Sequence, residues 1–115
     1  MLKHSAKKFG YALTGLKIAW REEASFKIQI VCAVLALALG WALNLSLLEF
    51  VVVVFMISFV LTAEVFNTAL EELCDEFQPT EDPHIAKIKD LAAAAVLLSS
   101  LGALVVGLGV FLPHL

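Results

Sequence analysis

Five side chains in the middle of this chain are out of place in a purely apolar helix. Glu64, Asn67, Thr68, Glu71 and Asp75 are spaced so that a helix, turning about 100° per residue, brings them within roughly 60° of one line. They make a single polar stripe. The run just before it, FVVVVFMISFVLTA, carries no charge, so Glu64 is expected at or just below the edge of a hydrocarbon layer. An acid at the centre of a bilayer costs about 2.5–3.5 kcal/mol on insertion scales, and less near the interface. A helix simply emerging into water accounts for Glu72 and Glu76, and tolerably for Asp75. It does not account for Glu64 and Asn67, whose neighbours Val65, Phe66, Ala69 and Leu70 are still apolar.

Carboxylates gathered without His or Cys favour a hard cation such as Mg²⁺, which takes oxygen ligands. Magnesium held by few carboxylates usually arrives with nucleotide phosphates, and phosphates in turn require a cationic partner. Lys87 and Lys89 are available. A carboxylate not engaged with metal can accept a proton from a hydroxyl, and Glu64, the deepest acid, is placed to meet one at headgroup depth. Phosphoryl transfer from ATP to a lipid hydroxyl is the reaction these parts could assemble. Neither a GxxxxGK[ST] loop nor a protein-kinase glycine loop occurs, so the chain is not a kinase of those types. Two other classes stay open on the residues alone. One is a non-enzymatic membrane subunit whose acidic stripe is an assembly surface; the other is a small transporter using Glu64 as a proton relay.

The elements that must position these groups are helices in a membrane. The chain has 115 residues, enough for one domain over 1–115. Its hydrophobic content is 61% and its mean hydropathy +0.92, more apolar surface than a soluble domain of this size can bury. Residues 2–21 read as an amphipathic surface helix, with Leu2, Phe9, Leu13, Leu16 and Trp20 on one side and Lys3, Lys7, Thr14, Lys17 and Arg21 on the other. Spans are expected over 28–45, over 47–70 continuing as a rod to 77, and over 91–112. Asn44 and Ser46 mark the first turn, with Trp41 near that interface. Residues 78–86, with Pro79 and Pro83, read as a polar loop, and Asp90 as a start for the last helix. Ala103 and Gly107 are spaced for close helix packing. The expected fold is therefore an all-α membrane protein: a surface helix plus three transmembrane helices.

All eight Lys and Arg residues fall on the side shared by the N-terminus and the 76–90 loop. That side is expected to be cytoplasmic. With a net charge of −3 and no basic groove, nucleic acid is excluded as a partner. Cys32 and Cys74 belong to no metal or redox pattern and are expected as small buried thiols. The basic start is not followed by a short apolar core and cleavage site, so no removable signal peptide is expected.

The stretch Glu64-Val-Phe-Asn67-Thr68-Ala-Leu-Glu71, then Asp75, then Lys89-Asp90 with Ala92-Ala-Ala-Ala-Val96-Leu, resembles the small prokaryotic diacylglycerol kinases and the related undecaprenol kinases. Gly10-Tyr11, Gly15-Leu16, Ala19-Trp20, Glu23 and Phe26 match the same family's first signature, so the resemblance covers about residues 9–110. It implies a homotrimer of three-span protomers with composite sites, and ATP-dependent phosphorylation of diacylglycerol to phosphatidic acid. It implies Glu64 as proton acceptor, and Glu23 and Glu71 as holders of Mg²⁺ on the ATP phosphates. Tyr11, Lys89 and Asp90 would contact nucleotide, Asn67 would organise the site with Asp75 in support, and Glu81 and Asp82 fall in the adenosine-contacting region. Some positions depart from the pattern. His4 stands where diacylglycerol-type members tend to carry Arg, and His84 is displaced by two places from the family's loop His. The Trp20 segment is similar to the diacylglycerol type and HIAKIKDLAAAAVL to the undecaprenol type, which leaves undecaprenol as the alternative substrate.

Overall fold

A computed structural model describes residues 2–77 and 82–115. They form four helices in chain order: α1 (Leu2–Glu22), α2 (Ala24–Ala42), α3 (Leu47–Phe77) and α4 (Pro83–Phe111), closed by a 3₁₀ turn over Leu112–His114. Among the described residues there is no strand. Three of the helices are long and apolar enough to cross a membrane, since ~20 residues at ~1.5 Å each cover the hydrocarbon layer. Gln78, Pro79, Thr80 and Glu81, expected in the polar loop, lie outside the described residues.

The α1–α2 corner is made by one residue. Glu23 is extended (φ −114°, ψ 109°), yet its N–H still bonds Ala19 O at 3.0 Å and its carbonyl accepts from Lys27 N at 3.3 Å. Lys27 stands 5.8 Å over the Trp20 ring, a cation–π contact that joins the two helices. Ala19 is the buried residue of α1; Leu2, Phe9, Leu13, Leu16 and Trp20 are all exposed. That is how a helix resting its apolar side on a bilayer looks when the bilayer is absent.

The α2–α3 turn is more tightly specified. Asn44 sits at φ 57°, the left-handed region in which Asn is among the few tolerated side chains. Leu45 N bonds Gly40 O at 3.1 Å and Asn44 N bonds Trp41 O at 3.2 Å, the pair of bonds of a Schellman stop. A side chain at Gly40 would meet Leu45 Cδ1 at 2.8 Å. Ser46 and Glu49 then start α3 reciprocally: Glu49 N donates to Ser46 Oγ (3.2 Å), and Ser46 N donates to Glu49 Oε1 (2.9 Å). This capping box is completed from the far end of the chain, where His114 Nε2 lies 2.9 Å from Glu49 Oε2.

The core is narrow. Between the long helices it includes Phe26 and Ala33 on α2, Val53, Val60, Glu64 and Cys74 on α3, and Ala92 and Ser99 on α4. Small residues on α4 allow close approach to α3. Val53, Val60 and Glu64 recur at intervals of seven and four, so one face of α3 does the packing. The polar stripe is the continuation of that face.

Several expectations change. The first span begins at Ala24 and ends at Ala42 rather than running 28–45, because the Schellman stop ends it early. The last helix begins at Pro83, well before 91. Its cap is Asp82, whose Oδ1 accepts from His84 N at 2.8 Å, and not Asp90, because Pro at the first helical position and Asp before it make a complete start. Cys32 is exposed, although Cys74 is buried. The Ala103/Gly107 pair does not pack tightly: with Gln29, Cys32 and Ser100 it lines an open groove of about 360 Å³ between α2, α3 and α4, and nothing lies within 4 Å of a side chain built at Gly107.

The turn geometry makes a stability prediction. Asn44→Ile should cost about 1–2 kcal/mol, the price of a β-branched residue in the left-handed region, whereas Asn44→Gly should be close to neutral. Thermal unfolding in detergent micelles measures both.

Candidate active site

At the end of the bundle where α1 meets α2, three acids of α3, Glu64, Glu71 and Asp75, each have a partner. Glu64 is only 4% exposed, and its Oε2 accepts a hydrogen bond from Ser25 Oγ at 3.0 Å. Ser25 lies in the first turn of α2, where the helix N-terminus adds partial positive charge. Thr68 turns its hydroxyl inward along the helix onto Glu64 O at 2.9 Å. One turn further on, Asn67 Nδ2 donates to Glu71 Oε1 at 2.8 Å. Near the helix end Asp75 pairs with Lys89 of α4 at 2.5 Å, tying the last turns of α3 to the first turns of α4.

Glu23 completes the group from the α1–α2 corner. Its side chain makes no capping hydrogen bond, which leaves the carboxylate to face the acids of α3. Its pKa is pushed up, first by desolvation and then by the negative charges of Glu71, Glu64, Glu22 and Glu72. Crowded carboxylates of this kind are electrostatically unfavourable until a cation joins them.

The donor set fits a hard divalent cation. Glu23 and Glu71 are carboxylates from different elements, and the buried Oδ1 of Asn67 has no hydrogen-bond partner among the described residues. No three His, Cys, Asp or Glu side chains form a metal cage among those residues. Such an ion would take its other ligands from outside these side chains, as Mg²⁺ does when bound with phosphates.

The structure thus gathers Glu23, Glu64, Asn67, Glu71, Asp75 and Lys89 at one end of the bundle. Asp90 is exposed there on α4, and Tyr11 is exposed on α1. Asp82 is occupied in capping α4. Glu81 lies outside the described residues, and His84 is exposed. Ser25 is the residue at this end that sequence reasoning missed. Its partner is 39 residues away, so no local pattern links them; its position two residues after Glu23, just inside the span, was the only available signal.

The electrostatics can be checked directly. In Glu71→Gln the Glu23 titration midpoint should fall toward the ordinary carboxylate range without reaching it, because one like charge goes and desolvation stays. Side-chain ¹³C titration of Glu23 in micelles reads this. An unchanged midpoint would mean that the two carboxylates do not face each other.

Comparison with known proteins places the chain among relatives of one family. The family model described as prokaryotic diacylglycerol kinase matches residues 10–111. The undecaprenol kinase of Bacillus subtilis is 30% identical over 109 residues, covering 95% of this chain and 89% of the relative. The diacylglycerol kinase of Escherichia coli K12 is 28% identical over 99 residues, covering 86% and 81%. That of Helicobacter pylori 26695 is 32% identical over 97 residues, covering 84% and 75%.

Proposed function

The chain belongs to the prokaryotic diacylglycerol kinase family and is a lipid kinase, and from that premise we propose that it transfers the γ-phosphoryl group of ATP to the hydroxyl of diacylglycerol, giving phosphatidic acid. The observation that carries the assignment is the burial of Glu64 beside a cluster of cation-ready acids. The lipid hydroxyl oxygen attacks the γ-phosphorus while its proton passes to the Glu64 carboxylate. The new O–P bond forms as the bond to the β–γ bridging oxygen breaks, and ADP leaves with that electron pair. Glu23 and Glu71 would hold Mg²⁺, which would supply charge neutralisation on the phosphates, and the unpartnered Asn67 Oδ1 would be available to it. Lys89, poised by Asp75, offers its cation to the nucleotide phosphates, with Asp90 and Tyr11 as further nucleotide contacts and Glu81 and Asp82 toward the adenosine.

A second reading, undecaprenol as the acceptor, is favoured by the similarity to the Bacillus subtilis undecaprenol kinase across nearly the whole chain. The same hydroxyl chemistry serves both lipids. We further propose a homotrimer in the bacterial inner membrane with the N-terminus cytoplasmic. The positive-inside distribution of Lys and Arg supports the orientation, and the unfilled groove along α2, α3 and α4 supports assembly.

Label transfer from γ-labelled ATP in mixed micelles, with each lipid offered separately, tests the proposal. Labelled phosphatidic acid is expected. Label on undecaprenol alone would select the second reading, and label on neither, with Mg²⁺ present, would overturn both. Glu64→Gln should lower kcat by about 10²–10⁴, the usual worth of a proton acceptor, with the KM for ATP little changed. Glu71→Gln should instead weaken Mg²⁺–ATP binding, read by nucleotide titration.

A further inference from the structure

Glu64 does not face the reacting hydroxyl unaided. Its carboxylate is almost wholly enclosed, and its flexible side chain has several rotamers through which it could miss an incoming group. One contact selects among them: Ser25 Oγ donates to Oε2 at 3.0 Å. Among the described residues this is the one side-chain hydrogen bond that joins α2 to α3, and no described side chain donates to Oε1. Phe26 is buried next to Ser25 and Glu23 turns the chain just before it, so the hydroxyl is carried on a firmly anchored first turn.

We infer that Ser25 is a positioning residue for the phosphoryl transfer: its hydroxyl ties one oxygen of Glu64 and thereby presents the other to the acceptor hydroxyl. The inference rests on the reading of Glu64 as proton acceptor. Ser25 needs to touch neither nucleotide nor lipid. It acts by holding the carboxylate within the narrow range of geometries in which a proton can pass as the oxygen attacks, where a displacement of ~1 Å can cost on the order of a hundredfold in rate. Glu23, itself proposed to hold the cation, is the N-cap residue of that same first turn. A shift of α2 against α3 is therefore felt at both the proton acceptor and the cation, and the Ser25–Glu64 bond is what sets that register at this end.

The test is steady-state kinetics on the full-length protein in mixed micelles, with Mg²⁺–ATP and whichever lipid it phosphorylates. Ser25→Ala should lower kcat about tenfold to a hundredfold with the KM for ATP unchanged, and Ser25→Thr should restore most of the loss. Ser25→Cys keeps the volume but offers a poor donor, so it should fall between the two, and it carries the test if the alanine variant does not fold. In a Glu64→Asp background, where the shorter acid cannot reach Ser25, adding Ser25→Ala should cause no further loss, as expected for two residues acting as one unit. Wild-type kcat in folded Ser25→Ala or Ser25→Cys, or losses that multiply in the Glu64→Asp background, would overturn the inference. If Glu64→Gln itself turned over normally, the proton-acceptor reading would fail instead. A collapse in Glu64→Gln beside wild-type rates in the Ser25 variants would remove Ser25 alone.

Discussion

A carboxylate on the packing face of a membrane helix has to be given a hydrogen-bond partner there, because hydrocarbon supplies none. Glu64 takes the hydroxyl of Ser25, and much of this end of the molecule follows from that contact. It joins α2 to α3 where the first turn of α2 stands level with the acids. Glu23, one residue ahead of that helix, is thereby held where the charges of Glu71 and Glu64 raise its pKa. One inter-helix hydrogen bond and one bend in the backbone thus bring a buried acid and crowded carboxylates to the same end of the bundle.

The acids also occupy a face prepared by apolar packing. Val53 and Val60 bury the same side of α3 that Glu64 continues, so the helix changes chemistry along its length without rotating. In the membrane that face meets α2 and α4; near the surface it meets a hydroxyl, an amide and an ammonium. The Lys89–Asp75 pair at the end is half exposed, and such pairs contribute little stability. Its value here is placement, since it keeps a cation beside the stripe.

The opposite end of the bundle has a different task. The Schellman stop at Asn44, the Ser46–Glu49 capping box and the His114 contact fasten the turn and the last helix together. No Lys or Arg occurs there. One end is stitched by local backbone bonds, while the other leaves carboxylates crowded and an amide oxygen unpartnered. The asymmetry is that of a scaffold closed at one end and open to ligand chemistry at the other.

Much of this was legible in the chain itself. Hydropathy identified three candidate spans, because apolar runs of this length have no soluble alternative, and the helical period aligned Glu64, Asn67, Glu71 and Asp75 because residues on one helix share a face whatever surrounds it. Helix ends were read less well. The first span stopped early at a left-handed Asn44 and the last began early at Asp82 and Pro83, since caps depend on a few backbone bonds that hydropathy averages away. Glu23 was singled out only by family resemblance, and Ser25 offered nothing beyond its place two residues after Glu23. Both owe their place to groups on another helix. Local spacing can say which residues of one helix act together. Which residue of a second helix meets them is decided by the depth and rotation at which the two helices pack, and that exists only in the folded bundle.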